Sequence, residues 1–233
     1  MPLDALCLSG LVHELNTALT GAKIDKIHQP GRDEVIFALR TPGGNCKLLL
    51  SANPAHPRAQ LTNLTRENPD KPPMFCMLLR KHLTGGRILD VTQPPLERVV
   101  ILRLEAMDEL GDRVERKVIL ETMGRHSNLI LVDQEGRIID CLRRVDYEMS
   151  EKRQVLPGLL YHLPPTQEKL DPTVLDREEL ERRLALAPEQ AQADQWLLDT
   201  FGGLSPLVCR ELAHRAGGST DARLHLMGGD GRN

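Results

Sequence analysis

Between residues 23 and 143 the chain cannot run long in any one direction. Short stretches rich in Val, Ile and Leu are cut by Pro30-Gly31, Pro42-Gly43-Gly44, Pro54, Gly111-Asp112 and Gln134-Glu135-Gly136. Turn signals that dense favour strands over long helices, and strands joined by tight turns pair antiparallel. The spacing predicts strands over 23–28, 35–40, 47–51 and 60–64, then a second set over 87–92, 98–107, 114–121, 128–132 and 137–143. Each set follows a segment of helical spacing. The first lies within 3–21, with Leu8, Leu11, Val12, Leu15 and Leu19 on one face and Gly21 suited to its end. The second covers 74–83, opened by Pro72-Pro73 and closed by Gly85-Gly86.

Prolines at 157, 164, 165 and 172 read as a linker, and beyond it helices are predicted over 176–186, 189–201 and 206–216. The expected fold class is α+β over residues 1–170, followed by a small all-helical domain over 171–233. The end, from Met227 to Asn233, carries no stop signal of a finished domain and reads as that of a fragment.

Of the 233 residues 40% are hydrophobic, enough for a sizeable core, which disfavours full disorder. No apolar run approaches the roughly 18 residues of a membrane span, and Asp4 stands where a signal peptide would be basic. Cys7, Cys46, Cys76, Cys141 and Cys209 are scattered with no CxxC, so buried free thiols in a reducing cytoplasm are expected, without a zinc ribbon. Aromatics at 3% are too few for a base-stacking RNA platform. Net charge is −3, yet residues 71–103 hold 6 Lys and Arg against 2 acids. Such an island can dock a phosphate backbone or simply be a solvated face.

Few residues suggest bond-making chemistry. His126-Ser127 are sequence neighbours and rarely face each other as base and nucleophile. The eight histidines lack HExxH spacing, so no metal and no cofactor are expected. Gly43-Gly44 and Gly85-Gly86 read as turns. Gly202-Gly203-Leu204-Ser205-Pro206 fits either a plain helix connection or a helix-hairpin-helix, whose free amides take a phosphate. Arg80 and Lys81 end an apolar helix, where cations are favoured anyway. Glu97-Arg98 opens a strand after Pro94-Pro95, where both side chains can reach one ligand.

Several blocks together resemble one family. They are Leu11-Val-His-Glu-Leu15, Lys23-Ile-Asp-Lys-Ile-His-Gln-Pro30, Leu48-Leu-Leu-Ser-Ala-Asn-Pro54, Pro72-Pro-Met-Phe-Cys-Met-Leu-Leu-Arg-Lys-His-Leu83 with Asn68-Pro69 before it, and Glu121-Thr-Met-Gly-Arg-His-Ser-Asn-Leu-Ile130. They are similar to the N-terminal part of the NFACT proteins, which include bacterial RqcH and eukaryotic NEMF and are also labelled fibronectin-binding protein A. The resemblance implies an NFACT-N domain, distantly similar to the formamidopyrimidine-DNA glycosylase N-terminal domain, and then a helix-hairpin-helix domain. The coiled coil and C-terminal RNA-binding domain of the family are missing from this chain.

The family resemblance implies a cytoplasmic binding factor, not an enzyme. Its implied partners are the large ribosomal subunit with peptidyl-tRNA and an aminoacyl-tRNA, tRNA-Ala in bacteria, with neither DNA nor membrane. Its implied role is recruiting that tRNA for template-free tailing of stalled chains. Asp4 and Arg98 match residues that tailing requires, and Glu97 stands where the family carries Asp. Arg98 is then assigned to tRNA phosphate or base edge, with Asp4 and Glu97 accepting hydrogen bonds or positioning it. Arg80, Lys81, Arg87 and Arg125 are the candidates for RNA backbone. Two alternatives stand beside this: a DNA glycosylase using a Pro2 amine, against which Leu3 stands where that family has Glu, and a fibronectin- or fibrinogen-binding surface adhesin.

Overall fold

The computed structural model describes residues 3–188 and 190–226, so Pro2 and the final residues 227–233 lie outside the described residues. It divides into two compact units, one holding Cys7–Pro164 and the other holding Asp4–Leu6 with Pro165–Asn233.

The first unit is built on one antiparallel sheet of nine strands in the order β4-β3-β2-β1-β5-β6-β7-β8-β9. The strands are β1 (Lys23–Gly31), β2 (Glu34–Thr41), β3 (Gly44–Ser51), β4 (Arg58–Leu61), β5 (Arg87–Thr92), β6 (Val99–Met107), β7 (Arg113–Glu121), β8 (Asn128–Val132) and β9 (Ile138–Cys141). Every neighbour except β1–β5 is also a neighbour along the chain, as expected of two meanders. The two meanders meet at a short seam. Lys23 is the one β1 residue in register with β5, opposite Arg87, and Ile24 N–H to Gly86 O and Gly85 N–H to Ile24 O reinforce it. Past that point β1 and β5 part.

Two helices close the inner face. Helix α1 (Ala5–Leu19) buries Leu8, Val12, Leu15 and Leu19. Its end is set by Gly21, whose φ of +83° is left-handed, a conformation open to glycine at little cost. Helix α2 (Met74–Leu83) buries Phe75, Cys76, Leu79 and Leu83. Both pack on Phe37, Leu48, Leu50, Leu102, Leu104, Val118 and Leu120. Each fully buried Leu or Phe contributes roughly 1.5–3 kcal/mol. A smaller cluster of Val99, Ile119, Ile130, Val132, Ile138, Cys141 and Val155 covers the other face of β6 to β9. With apolar cover on both faces, β8 is buried at all five positions and loses the alternation of a one-sided strand.

Several boundaries differ from the sequence expectation, three of them for local reasons that the hydrogen bonds show. β4 stops at Leu61 because Thr62 Oγ1 takes the Leu64 amide at 3.1 Å, turning the chain. β6 begins at Val99, since the Arg98 carbonyl is already held by Thr122. The helix expected from 189 starts at Ala193, after a turn in which Ala191 N–H bonds Pro188 O. The expectation of buried thiols holds for Cys76, Cys141 and Cys209, whereas Cys7 is exposed and Cys46 half-buried. Cys7 lies roughly 100° around α1 from the centre of the stripe formed by Leu8, Val12, Leu15 and Leu19.

The second unit carries α3 (Arg177–Ala185), α4 (Ala193–Thr200) and α5 (Pro206–Gly217). Asp176 caps α3 by accepting from Glu179 N–H at 2.8 Å. Ser205 caps α5 from Val208 N–H, Pro206 fills its first turn, and Gly218 ends it at φ +73°. Helices α4 and α5 pack together over buried Ala193, Phe201, Cys209 and Ala213, with Trp196 edge-on to Phe201 at 5.6 Å. Ala5 N–H donates to Gly203 O at 3.2 Å, which ties the segment Asp4–Leu6 to this unit.

Candidate functional site

The turn between β5 and β6 is held by several hydrogen bonds. Glu97 N–H bonds Pro94 O at 3.1 Å, with Pro95 and Leu96 at the corner. Leu96 has φ +58°, so this is a type II turn with leucine where glycine is favoured. A leucine held left-handed costs roughly 1–2 kcal/mol and persists only where its surroundings over-determine it. They do so here. Gln93 Nε2 donates to Glu97 O at 2.8 Å, and Arg98 O accepts from both Thr122 N–H at 2.9 Å and Thr122 Oγ1 at 3.1 Å.

With their backbone pinned, Glu97 and Arg98 present their side chains half-buried at the sheet end. Burial pushes the Glu97 carboxyl above its usual range, and the neighbouring Arg98 charge partly offsets this. Among the described residues the Arg98 guanidinium makes no hydrogen bond or ion pair, leaving its fork of donors open.

Beside this turn lies a network that sequence reading missed. Glu121, at the end of β7 and in register with Val99, is 1% exposed. Arg153 grips both its oxygens, Nη2 on Oε1 and Nη1 on Oε2 at 3.2 Å. Tyr161 O–H donates to Glu121 Oε1 at 2.9 Å, and the Arg153 guanidinium lies 5.3 Å from the centre of the Tyr161 ring. Burial, with Glu121 and Glu97 nearby, drives the Tyr161 phenol strongly upward, so it stays a hydrogen-bond donor. Arg153 Nε also holds His162 O at 2.8 Å. The polar end of a run that is otherwise apolar, Val118-Ile-Leu-Glu121, is a signal for a buried carboxylate, but nothing in the sequence names a partner 32 positions on.

The candidate RNA-backbone residues fall at two ends of the sheet. Arg87 starts β5 and donates to Gly21 O at 2.7 Å, and Lys81, in the last turn of α2, pairs with Glu109 at 2.6 Å. Arg80 Nε takes Ile27 O at 2.8 Å, on the part of β1 that β5 leaves unpaired. Arg98 lies at the other end of β6, roughly 23 Å from the Arg87 end by strand rise. Arg125 is at that same end, exposed in the turn after β7, its Nε on His126 Nε2 at 3.0 Å. Asp4 belongs to the second unit, where it is buried and its charge helps raise the Cys209 thiol, chiefly lifted by burial. Glu97 and Arg98 are thus brought together, while Asp4 falls in the other unit.

No group of three or more His, Cys, Asp or Glu side chains gathers as a metal set among the described residues, and no helix there is long and apolar enough to cross a membrane.

Comparison with known proteins follows the same outline. The family described as NFACT N-terminal and middle domains matches residues 4–227. "Rqc2 homolog RqcH" of Bacillus subtilis is 44% identical over 218 residues, covering 93% of this chain and 38% of that protein. "Ribosome quality control complex subunit NEMF" of Homo sapiens is 24% identical over 182 residues, covering 78% of this chain and 16% of that protein. Among solved structures, the N-terminal domain of fibronectin-binding protein PavA from Streptococcus pneumoniae superposes with a TM-score of 0.84 at 34% identity, covering 91% of this chain and 78% of that one. This chain therefore spans well under half the length of the curated relatives it matches.

Proposed function

The chain belongs to the NFACT family, and from that premise we propose that it is the tRNA-handling part of a ribosome quality control factor. In this reading the factor binds an obstructed large ribosomal subunit in the cytoplasm. It brings in an aminoacyl-tRNA, alanyl-tRNA by the family resemblance, for template-free tailing of the stalled chain. The ribosome makes the peptide bonds, and this protein is a binding factor with no catalytic residue or cofactor of its own.

The observation that carries the reading is the unpaired Arg98 guanidinium on a backbone pinned from three sides, beside a carboxyl that burial keeps uncomfortable. An arginine so placed has its backbone already ordered, so gripping a phosphate or a base edge costs only side-chain freedom. Glu97 accepts from the same ligand or steers the arginine. Asp4, in the helical unit, is a tRNA contact by the family resemblance alone, and this reading takes that unit as a helix-hairpin-helix domain.

The test is tRNA binding by the chain and its Arg98→Ala variant. A charge-assisted contact is worth roughly 1.5–3 kcal/mol, so affinity should fall about ten- to a hundredfold while the thermal melt stays put. Glu97→Asp should bind as the parent does, and Asp4→Ala should bind less well. A folded Arg98→Ala chain with parental tRNA affinity would remove Arg98 from the site.

A further inference from the structure

We propose that the outer face of β1, β2 and β3, with the adjoining free edge of β1, holds a second RNA site in which Lys26, Lys47 and His28 on the face and Arg80 at the edge take the phosphate backbone of an RNA duplex. It rests on the reading of the protein as an RNA-handling factor, and deepens it by placing a contact away from Arg98.

The placement follows from strand register. Ile27, Phe37 and Leu48 point into the core under α1 and α2, so their neighbours Lys26, His28, Ala38 and Lys47 point to the opposite face. Lys26 is in register with Ala38, and Ala38 with Lys47. Two lysines therefore flank one small residue across three strands, their backbones about 10 Å apart. His28 follows Lys26 on the same face. Arg80 reaches the edge of the same strand from α2, its Nε fixed on Ile27 O, the carbonyl between Lys26 and His28, and among the described residues its other N–H groups have no partner.

What makes the group unusual in a chain of net charge −3 is the missing countercharge. Among the described residues no carboxylate pairs with Lys26, His28, Lys47 or Arg80, while the adjacent Lys81 has Glu109 and Arg40 has Asp25. Lys47 Nζ has only long contacts to neutral oxygens, Leu64 O at 3.4 Å and Thr65 Oγ1 at 3.5 Å. Burial and then the charges of Arg80, Lys26 and Lys47 hold the His28 imidazole below its usual value. Lys26 and Lys47, unneutralised on either side of an alanine with Arg80 at the adjoining edge, repel one another unless an anion sits among them. The face carries no Phe, Tyr or Trp at these positions, so it suits a backbone and not an unstacked base. A phosphate seated over Ala38 can take charge-assisted hydrogen bonds from both lysines.

The experiment uses the whole 233-residue chain and a fluorescein-labelled 20-base-pair RNA duplex, with binding followed by anisotropy across a salt series. Each neutralised phosphate adds roughly 0.7–0.9 to the salt slope, which at about 0.1 M salt is roughly a five- to eightfold gain in affinity. The double variant Lys26→Gln/Lys47→Gln should therefore flatten the slope by about 1.4–1.8 and weaken duplex binding by roughly 25- to 60-fold. Ala38→Glu, which sets a carboxylate between the two lysines, should weaken it at least as much. Arg98→Ala should leave the duplex slope lost in the lysine variant largely in place, which separates failure here from failure at Arg98.

Folded variants that keep the parental slope and affinity would overturn the second site, as would a parent that does not bind the duplex. If the lysine variant loses binding to phosphatidylserine vesicles but not to the duplex, the assignment to RNA is overturned.

Discussion

Replacing Arg153 by methionine should cost the first unit about 3–5 kcal/mol. Glu121 is 1% exposed and takes hydrogen bonds from Arg153 and Tyr161, and the Arg153 side chain is itself only 15% exposed. Methionine fills much of the arginine stem's volume but supplies no donor. The variant leaves a buried carboxylate with the Tyr161 hydroxyl and without its cation, the situation in which breaking a buried pair is expensive. Tyr161→Phe removes one hydrogen bond to a charged group and should cost less, roughly 1.5–3 kcal/mol. Removing both charges, as Glu121→Leu/Arg153→Met, should recover most of the loss, because an apolar pair of similar size is often as stable as a buried ion pair. Urea denaturation of the parent, Glu121→Leu, Arg153→Met and the double variant closes a double-mutant cycle on the Glu121–Arg153 pair. For a domain stable by about 5–15 kcal/mol the Arg153→Met loss shows as a large drop in midpoint at unchanged slope. A loss under about 1 kcal/mol would mean that the pair behaves as a solvated surface bridge and that the burial reasoning is wrong.

Two further outcomes follow from the geometry. Because burial raises the Glu97 carboxyl, the folded chain binds that proton more tightly than the unfolded chain does, so stability falls as pH rises through the folded value. Glu97→Gln should accordingly raise the melting temperature near neutral pH and lose that advantage at about pH 4, and thermal melts at the two pH values check the sign. Gly86→Ala should destabilise by roughly 1–3 kcal/mol, read as a lower urea midpoint, since its Cβ would meet Glu105 O at 2.8 Å and Leu83 O at 2.9 Å, both backbone atoms.

Much of the fold can be read without coordinates because its connections are local. Turn residues such as Gly111 and Gly136, both at positive φ, mark hairpins directly, and the strand over 128–132 and the helix over 74–83 agree with the structure residue for residue. The site is legible only in part. Glu97 and Arg98 are consecutive, so their meeting needs no folding, and Pro94-Pro95 announces the turn that displays them. The left-handed Leu96 is invisible in advance, because leucine carries no signal for a conformation that tertiary contacts impose. Glu121 and Arg153 look like ordinary charges until the chain folds back and dehydrates them. The basic excess over 71–103 likewise misleads as a single patch, since an extended strand carries Arg87 and Arg98 to opposite ends.

A sheet that parts at a seam exposes two raw edges, and an unpaired edge is a template on which another chain can add. Past Lys23, β1 offers such an edge, and α2 is what lies against it. The Ile27 carbonyl that β5 leaves without an amide is taken by Arg80 Nε, with Cys76 Sγ 3.8 Å away. The block from Pro72 to Leu83 therefore acts as a stopper as well as a core helix. It lets the nine-stranded sheet open around a helix without offering its interior strand to self-association.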